Sequence, residues 1–159
     1  LAAALGEQLS PALAGDGPSV LFPTAETVAD RGAEVLTGPA RRTATVLELA
    51  AAIAEGKVHL DPGRDPDELI AELTALPGIG PWTAGYVAMR VLGTPDELLA
   101  SDLGVRRGAA VLGLPSDLDT LTAYARRWRP WRSYAAMHLW HAASMRTTRT
   151  TTSSTRRSA

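Results

Sequence analysis

The chain contains no cysteine, which excludes disulfides, thiolate-held zinc and a cysteine-ligated iron-sulfur cluster. Lysine is almost as scarce, and none follows Lys57. No apolar run approaches the roughly 20 residues needed to span a bilayer, and nothing resembles a signal peptide, so a soluble protein of the cytoplasm is expected, with no membrane partner. The alternating pattern of a half-buried strand is also missing, and Val58-His59-Leu60 is too short to classify. What remains is helical punctuation in 159 residues of 45% hydrophobic content, enough for one all-α domain with a real core.

Acidic and basic side chains are unevenly shared. Residues 1–75 hold 5 cations against 12 carboxylates, and residues 76–159 hold 11 against 5, so a net charge of −1 conceals a −7 half and a +6 half. Every cation in the second half is arginine, whose planar fork suits phosphate. Helices are expected near Thr24–Leu36, with Thr24 and Glu26 at the start, and near Ala40–Gly56, where Val46, Leu49, Ala50 and Ile53 recur at helical spacing. Asp117–Arg127 and Pro130–Ala143 read as the last two. Leu1-Ala2-Ala3-Ala4-Leu5-Gly6 reads as the end of a helix, so the chain is expected to be a fragment, incomplete at its amino terminus. Residues 1–143 form the expected domain, and 144–159, almost wholly Ser, Thr and Arg, are expected to be a disordered tail.

The densest signal is Leu76-Pro77-Gly78-Ile79-Gly80-Pro81-Trp82-Thr83-Ala84. Upstream, Asp65 reads as an N-cap with Pro66 in the first turn, and Leu69, Ile70, Leu73 and Leu76 follow at helical spacing. Pro77 should stop that helix, Gly78 and Gly80 permit backbone angles closed to residues with a Cβ, and Pro81 can open a second helix through Ala84, Val87, Ala88 and Val91. A helix, a hairpin and a helix result. The unsatisfied N–H groups where the second helix begins favour a nucleic-acid phosphate and read no base. Gly78, Ile79, Gly80 and Thr83 are the candidate phosphate-binding residues.

Leu76–Arg107, together with the Trp-rich stretch Arg127–Trp140, closely resembles the helix-hairpin-helix DNA glycosylase superfamily, and within it the alkylation-repair branch of the 3-methyladenine DNA glycosylase II type. The resemblance implies base excision repair: hydrolysis of the N-glycosidic bond of an alkylated purine that has been flipped out of duplex DNA. It places the catalytic carboxylate at Asp102. Cleavage builds positive charge on the deoxyribose, which a fixed carboxylate stabilises while it orients or deprotonates the attacking water. Read locally, Asp102 is an N-cap, and the two roles are compatible. Bifunctional members carry a lysine two residues after the second hairpin glycine; here that residue is Trp82, so a monofunctional enzyme without lyase activity is implied.

The resemblance also implies that Trp82, Tyr86 and Trp140 line the base pocket, where electron-rich rings attract a cationic purine. Core packing is the alternative for each. Trp128 and Trp131 read as core, and Asp96, Glu97, Asp117 and Asp119 as surface or capping residues. No cofactor for the chemistry is implied, but sodium or potassium at the backbone carbonyls of Thr74, Leu76 and Ile79 is. The implied partner is double-stranded DNA containing alkylated bases, met by a monomer in the nucleoid of a bacterial cytoplasm. The family's amino-terminal domain and the side chain that wedges into the vacated stack would precede Leu1. A truncated, catalytically inactive DNA-binding module is therefore the alternative reading.

Overall fold

The computed structural model describes residues 1–154, with side chains through Met145. It divides into two compact units, Leu1–Ala84 and Gly85–Ala159. The first holds α1 (Ala2–Leu5), α2 (Pro11–Ala14), α3 (Ala25–Arg31), α4 (Ala40–Ala54), α5 (Pro66–Thr74) and the start of α6 (Pro81–Val91). The second holds the rest of α6, then α7 (Leu103–Val111), α8 (Leu118–Tyr124) and α9 (Arg132–Ser154). Among the described residues there is no strand, only an isolated antiparallel bridge between Gln8 and Val20, so the all-α expectation holds. No described helix is long and apolar enough to cross a membrane.

Capping chemistry sets most helix starts. Thr24 Oγ1 accepts the Thr27 N–H (3.2 Å) at the head of α3, and Asp65 Oδ1 accepts those of Asp67 and Glu68 (2.8 and 3.2 Å) at the head of α5. Asp117 Oδ1 accepts the Thr120 N–H (3.0 Å) before α8. Each bond satisfies a donor that an α-helix leaves without a partner in its first turn. In the first unit α3 packs on α4, and Val28, Ala50, Ala52, Leu69 and Leu73 are buried.

The second unit is built on α7 against α9. Val105, Ala109, Leu121, Ala136 and Leu139 form its buried cluster, with Leu114, Trp128 and Trp140 packed against it. Gly108 permits the contact, because a Cβ there would overlap the Leu139 carbonyl. Replacing it with alanine gains helix propensity but forces two backbones apart. Gly108→Ala should cost about 1–3 kcal/mol in urea unfolding.

Three expectations need correction. The last helix begins at Arg132 and runs to Ser154, where Pro130–Ala143 was expected. Its start is set by a partner distant in sequence: Asp96 Oδ1 accepts the Arg132 backbone N–H (3.4 Å) and Nε (2.6 Å), and its Oδ2 accepts Arg132 Nη2 (2.9 Å) and Arg129 Nε (2.9 Å). Ser133, buried beside them, accepts the Glu97 N–H (2.9 Å). At the other end Ala143 is not a boundary, since each residue added to an existing helix closes one more hydrogen bond without a new nucleus. The part of the tail beyond residue 154 lies outside the described residues. Secondly, Trp131 is not core: it is 58% exposed, edge-on to Tyr134, because it precedes α9 and lies on no packed face. Trp128 does pack on the buried cluster. Thirdly, Gly78 alone has the left-handed backbone (φ 90°); Gly80 lacks it, and open space surrounds its Cβ position.

The Arg132 guanidinium, followed by that of Arg129, holds the Asp96 carboxyl well below the usual carboxylate range. Such a group contributes fully above the ordinary aspartate pKa of about 4, and the contribution fades as pH falls below that value. Asp96→Asn should therefore melt below the parent at neutral pH, with the difference in melting temperature shrinking toward pH ~3.

Candidate functional site

The hairpin is pinned from α4. The Thr45 hydroxyl lies within hydrogen-bonding distance of its own helix's Arg41 carbonyl (3.0 Å) and of the Pro77 carbonyl (3.1 Å), 32 residues away. It also occupies the space a Cβ at Gly78 would need, so Gly78 is required by its φ and by this close approach. Ile79 turns its side chain inward (7% exposed) and donates its N–H to the Leu76 carbonyl (3.2 Å), which closes the turn. Its N–H is thus spent inside the hairpin. Those of Gly78, Gly80 and Thr83 find no acceptor among the described residues. Pro39, Arg41, Arg42, Thr45, Val46 and Trp82 are among the residues that, with the hairpin, line a cleft of about 600 Å³. Thr45, Arg41 and Arg42 have no signature in the local sequence; only their proximity to the hairpin marks them.

Asp102 stands at the head of α7 in the second unit and does two things with one oxygen. Its Oδ1 accepts the Val105 N–H (2.9 Å), as an N-cap does, and the Trp140 indole N–H (2.8 Å) from α9. The local reading as a cap is correct, and the side chain is also tied to a second helix. Leu99, three residues earlier, holds a left-handed backbone (φ 53°) that is unusual for leucine, and its carbonyl accepts the Asp102 N–H (2.9 Å). Burial of the Leu99 side chain (5% exposed) retains that conformation. Tyr86 meets Trp140 edge-on, with centroids 6.0 Å apart. Asp102, Tyr86 and Trp140 therefore form one constellation. Trp82 and Tyr86, four residues apart on α6, are both exposed (41% and 37%), whereas Trp140 is half-buried.

Much of the positive charge of the second half is engaged internally. Arg129 and Arg132 bind Asp96, Arg106 Nε donates to the Ser116 carbonyl (2.8 Å), and the Arg127 guanidinium lies over the Tyr124 ring (3.8 Å). Among the described residues no three His, Cys, Asp or Glu side chains gather as a metal site.

Gly104 was missed by sequence reasoning, although a glycine inside a helix costs about 1 kcal/mol relative to alanine and calls for a reason. Its Cβ would come to 2.8 Å from Trp140 Cδ1 and 3.0 Å from Asp102 Oδ1. Gly104→Ala should push the indole off the carboxylate, seen as a shift of the Trp140 Nε1–H resonance in an amide NMR spectrum.

No protein-family model matches the chain. It is 48% identical over 119 residues to a Mycobacterium tuberculosis protein named probable bifunctional transcriptional activator/DNA repair enzyme AlkA, a match covering 75% of this chain and 24% of that protein. It is 32% identical over 125 residues to DNA-3-methyladenine glycosylase 2 of Escherichia coli, covering 77% and 43%. The Schizosaccharomyces pombe 3-methyladenine DNA glycosylase, solved in complex with abasic DNA, superposes with a TM-score of 0.63 at 29% identity, over 75% of this chain and 62% of that one. The chain thus spans about a quarter of the first of these curated relatives and under half of the second.

Proposed function

We propose, for a chain that belongs to the alkylation-repair branch of the helix-hairpin-helix DNA glycosylase superfamily, that it hydrolyses the N-glycosidic bond of alkylated purines in duplex DNA. The observation that carries the reading is the doubly held carboxylate. Asp102 Oδ1 is oriented by the α7 head and by Trp140, so the group is fixed before any substrate arrives. Preorganised charge of this kind costs no reorganisation when positive charge develops on the sugar. As the bond from C1′ to the base nitrogen breaks, the electron pair leaves with the purine. Water adds at C1′ and gives up its proton, with Asp102 orienting it or accepting that proton.

An alkylated purine that carries positive charge is already a good leaving group, so the pocket needs faces more than base-reading hydrogen bonds. Tyr86 and Trp140, in contact beside the carboxylate, are proposed to wall it, and the exposed Trp82 to offer a ring face. Trp82 at the position of the lyase lysine, with no lysine after Lys57, supports a monofunctional reaction that leaves an abasic site. The N–H groups of Gly78, Gly80 and Thr83 are proposed to take a backbone phosphate. The carbonyls of Thr74, Leu76 and Ile79 are neutral oxygens of the type a hard monovalent cation takes, and bound sodium or potassium would add electrostatic support to that phosphate. A monomer acting in the bacterial nucleoid completes the proposal.

Asparagine at position 102 keeps an oxygen for both the Val105 and Trp140 donors but loses the charge. Asp102→Asn should fold and bind DNA as the parent does, yet lose at least about 100-fold in release of methylated purines from alkylated duplex. The nicked strand of a lyase product should not appear with either protein. Equal release by parent and variant would remove the carboxylate from the mechanism, and release by neither would favour a DNA-binding module without chemistry.

A further inference from the structure

The first unit is strongly acidic, and most of its few cations are paired. Arg31 meets Glu34 (3.6 Å), Lys57 meets Glu55, and Arg64 meets Glu72 (2.7 Å) and Glu68 (3.8 Å). Arg41 and Arg42 are the exceptions: both are exposed, and neither has an acidic partner among the described residues. They also stand where the fold penalises them, in the first turn of α4, whose positive dipole end disfavours cations and where no acidic side chain compensates. Their placement serves no packing or pairing visible within the unit. It does put them on the same cleft as Gly78, Thr83 and Trp82, and the Thr45 hydroxyl lies against the carbonyls of both Arg41 and Pro77.

We infer that Arg41 and Arg42 of α4 form a second phosphodiester clamp beside the hairpin, so that the DNA backbone is held by two guanidinium groups as well as by hairpin N–H groups. Guanidinium forks match phosphate oxygens, and the cleft's apolar wall of Val46, Leu49, Ile79 and Trp82 concentrates their field. A bound polyanion supplies the counter-charge that the α4 head lacks. The expected contact is with backbone and carries no base preference. The inference rests on the reading of the chain as DNA-binding and is independent of its reaction.

The test is fluorescence-polarisation titration of a short undamaged duplex across a range of KCl, with the parent chain, Arg41→Ala/Arg42→Ala and Arg41→Lys/Arg42→Lys. The alanine pair should bind roughly ten- to hundredfold more weakly at about 0.1 M salt and flatten the slope of log K against log[salt] by about 2, while the lysine pair keeps the parent slope. Because the removed cations oppose the α4 dipole, the alanine pair should melt at or above the parent temperature. In the parent chain itself, bound duplex should protect both arginines from phenylglyoxal, and inorganic phosphate at equal ionic strength should not. An alanine pair with the parent's affinity and slope, arginines modified equally with and without duplex, or protection by inorganic phosphate alone would overturn the clamp and leave the glycosylase reading standing. A parent chain that fails to bind duplex at low salt would overturn both.

Discussion

The site depends on how one carboxylate oxygen is shared. Asp102 Oδ1 receives a backbone N–H from the helix it caps and an indole N–H from the helix that packs across it. The first bond would form in any helix that begins with aspartate. The second exists only because α7 and α9 are in close contact, and that contact exists because Gly108 leaves room for the Leu139 carbonyl and Gly104 for the indole. Cap, core and candidate catalytic group are therefore one arrangement. A disturbance at either glycine is felt at the carboxylate without any change to the carboxylate itself.

The position of α9 is in turn held from its other end. Asp96, on the turn after α6, gathers Arg129 and Arg132, and Ser133 takes the Glu97 N–H. Trp140 follows two turns later on the same helix, so the register of its indole descends from an ion-paired start. Two arginines of the basic half are consumed in this way. Arginines of the second half thus serve the fold, while Arg41 and Arg42 of the acidic half, without an acidic partner among the described residues, line the cleft beside the hairpin.

Local patterns made the helical architecture legible. Thr24, Asp65, Asp102 and Asp117 each cap the helix that their sequence context predicts, since a short polar side chain followed by an apolar periodicity needs only three residues to make its bond. The Pro-Gly-Ile-Gly-Pro turn, with Gly78 at positive φ, is legible for the same reason, although Gly80 showed that a motif glycine need not adopt a special backbone angle. Trp131 and the start of α9 were misplaced because periodicity could not reveal that Asp96, some 36 residues earlier, caps that helix.

Caps, hairpin, the excess of arginine and the position of Asp102 are properties of neighbouring residues, and they can be read from the chain because the energies involved act across one turn. The second donor on Asp102, the edge-on meeting of Tyr86 with Trp140, the tie from Thr45 to Pro77 and the exposure of Trp82 join residues tens of positions apart or depend on what is left uncovered. These were settled by packing, in which steric room at particular glycines and the pairing of particular charges select one arrangement among many that share the same local patterns.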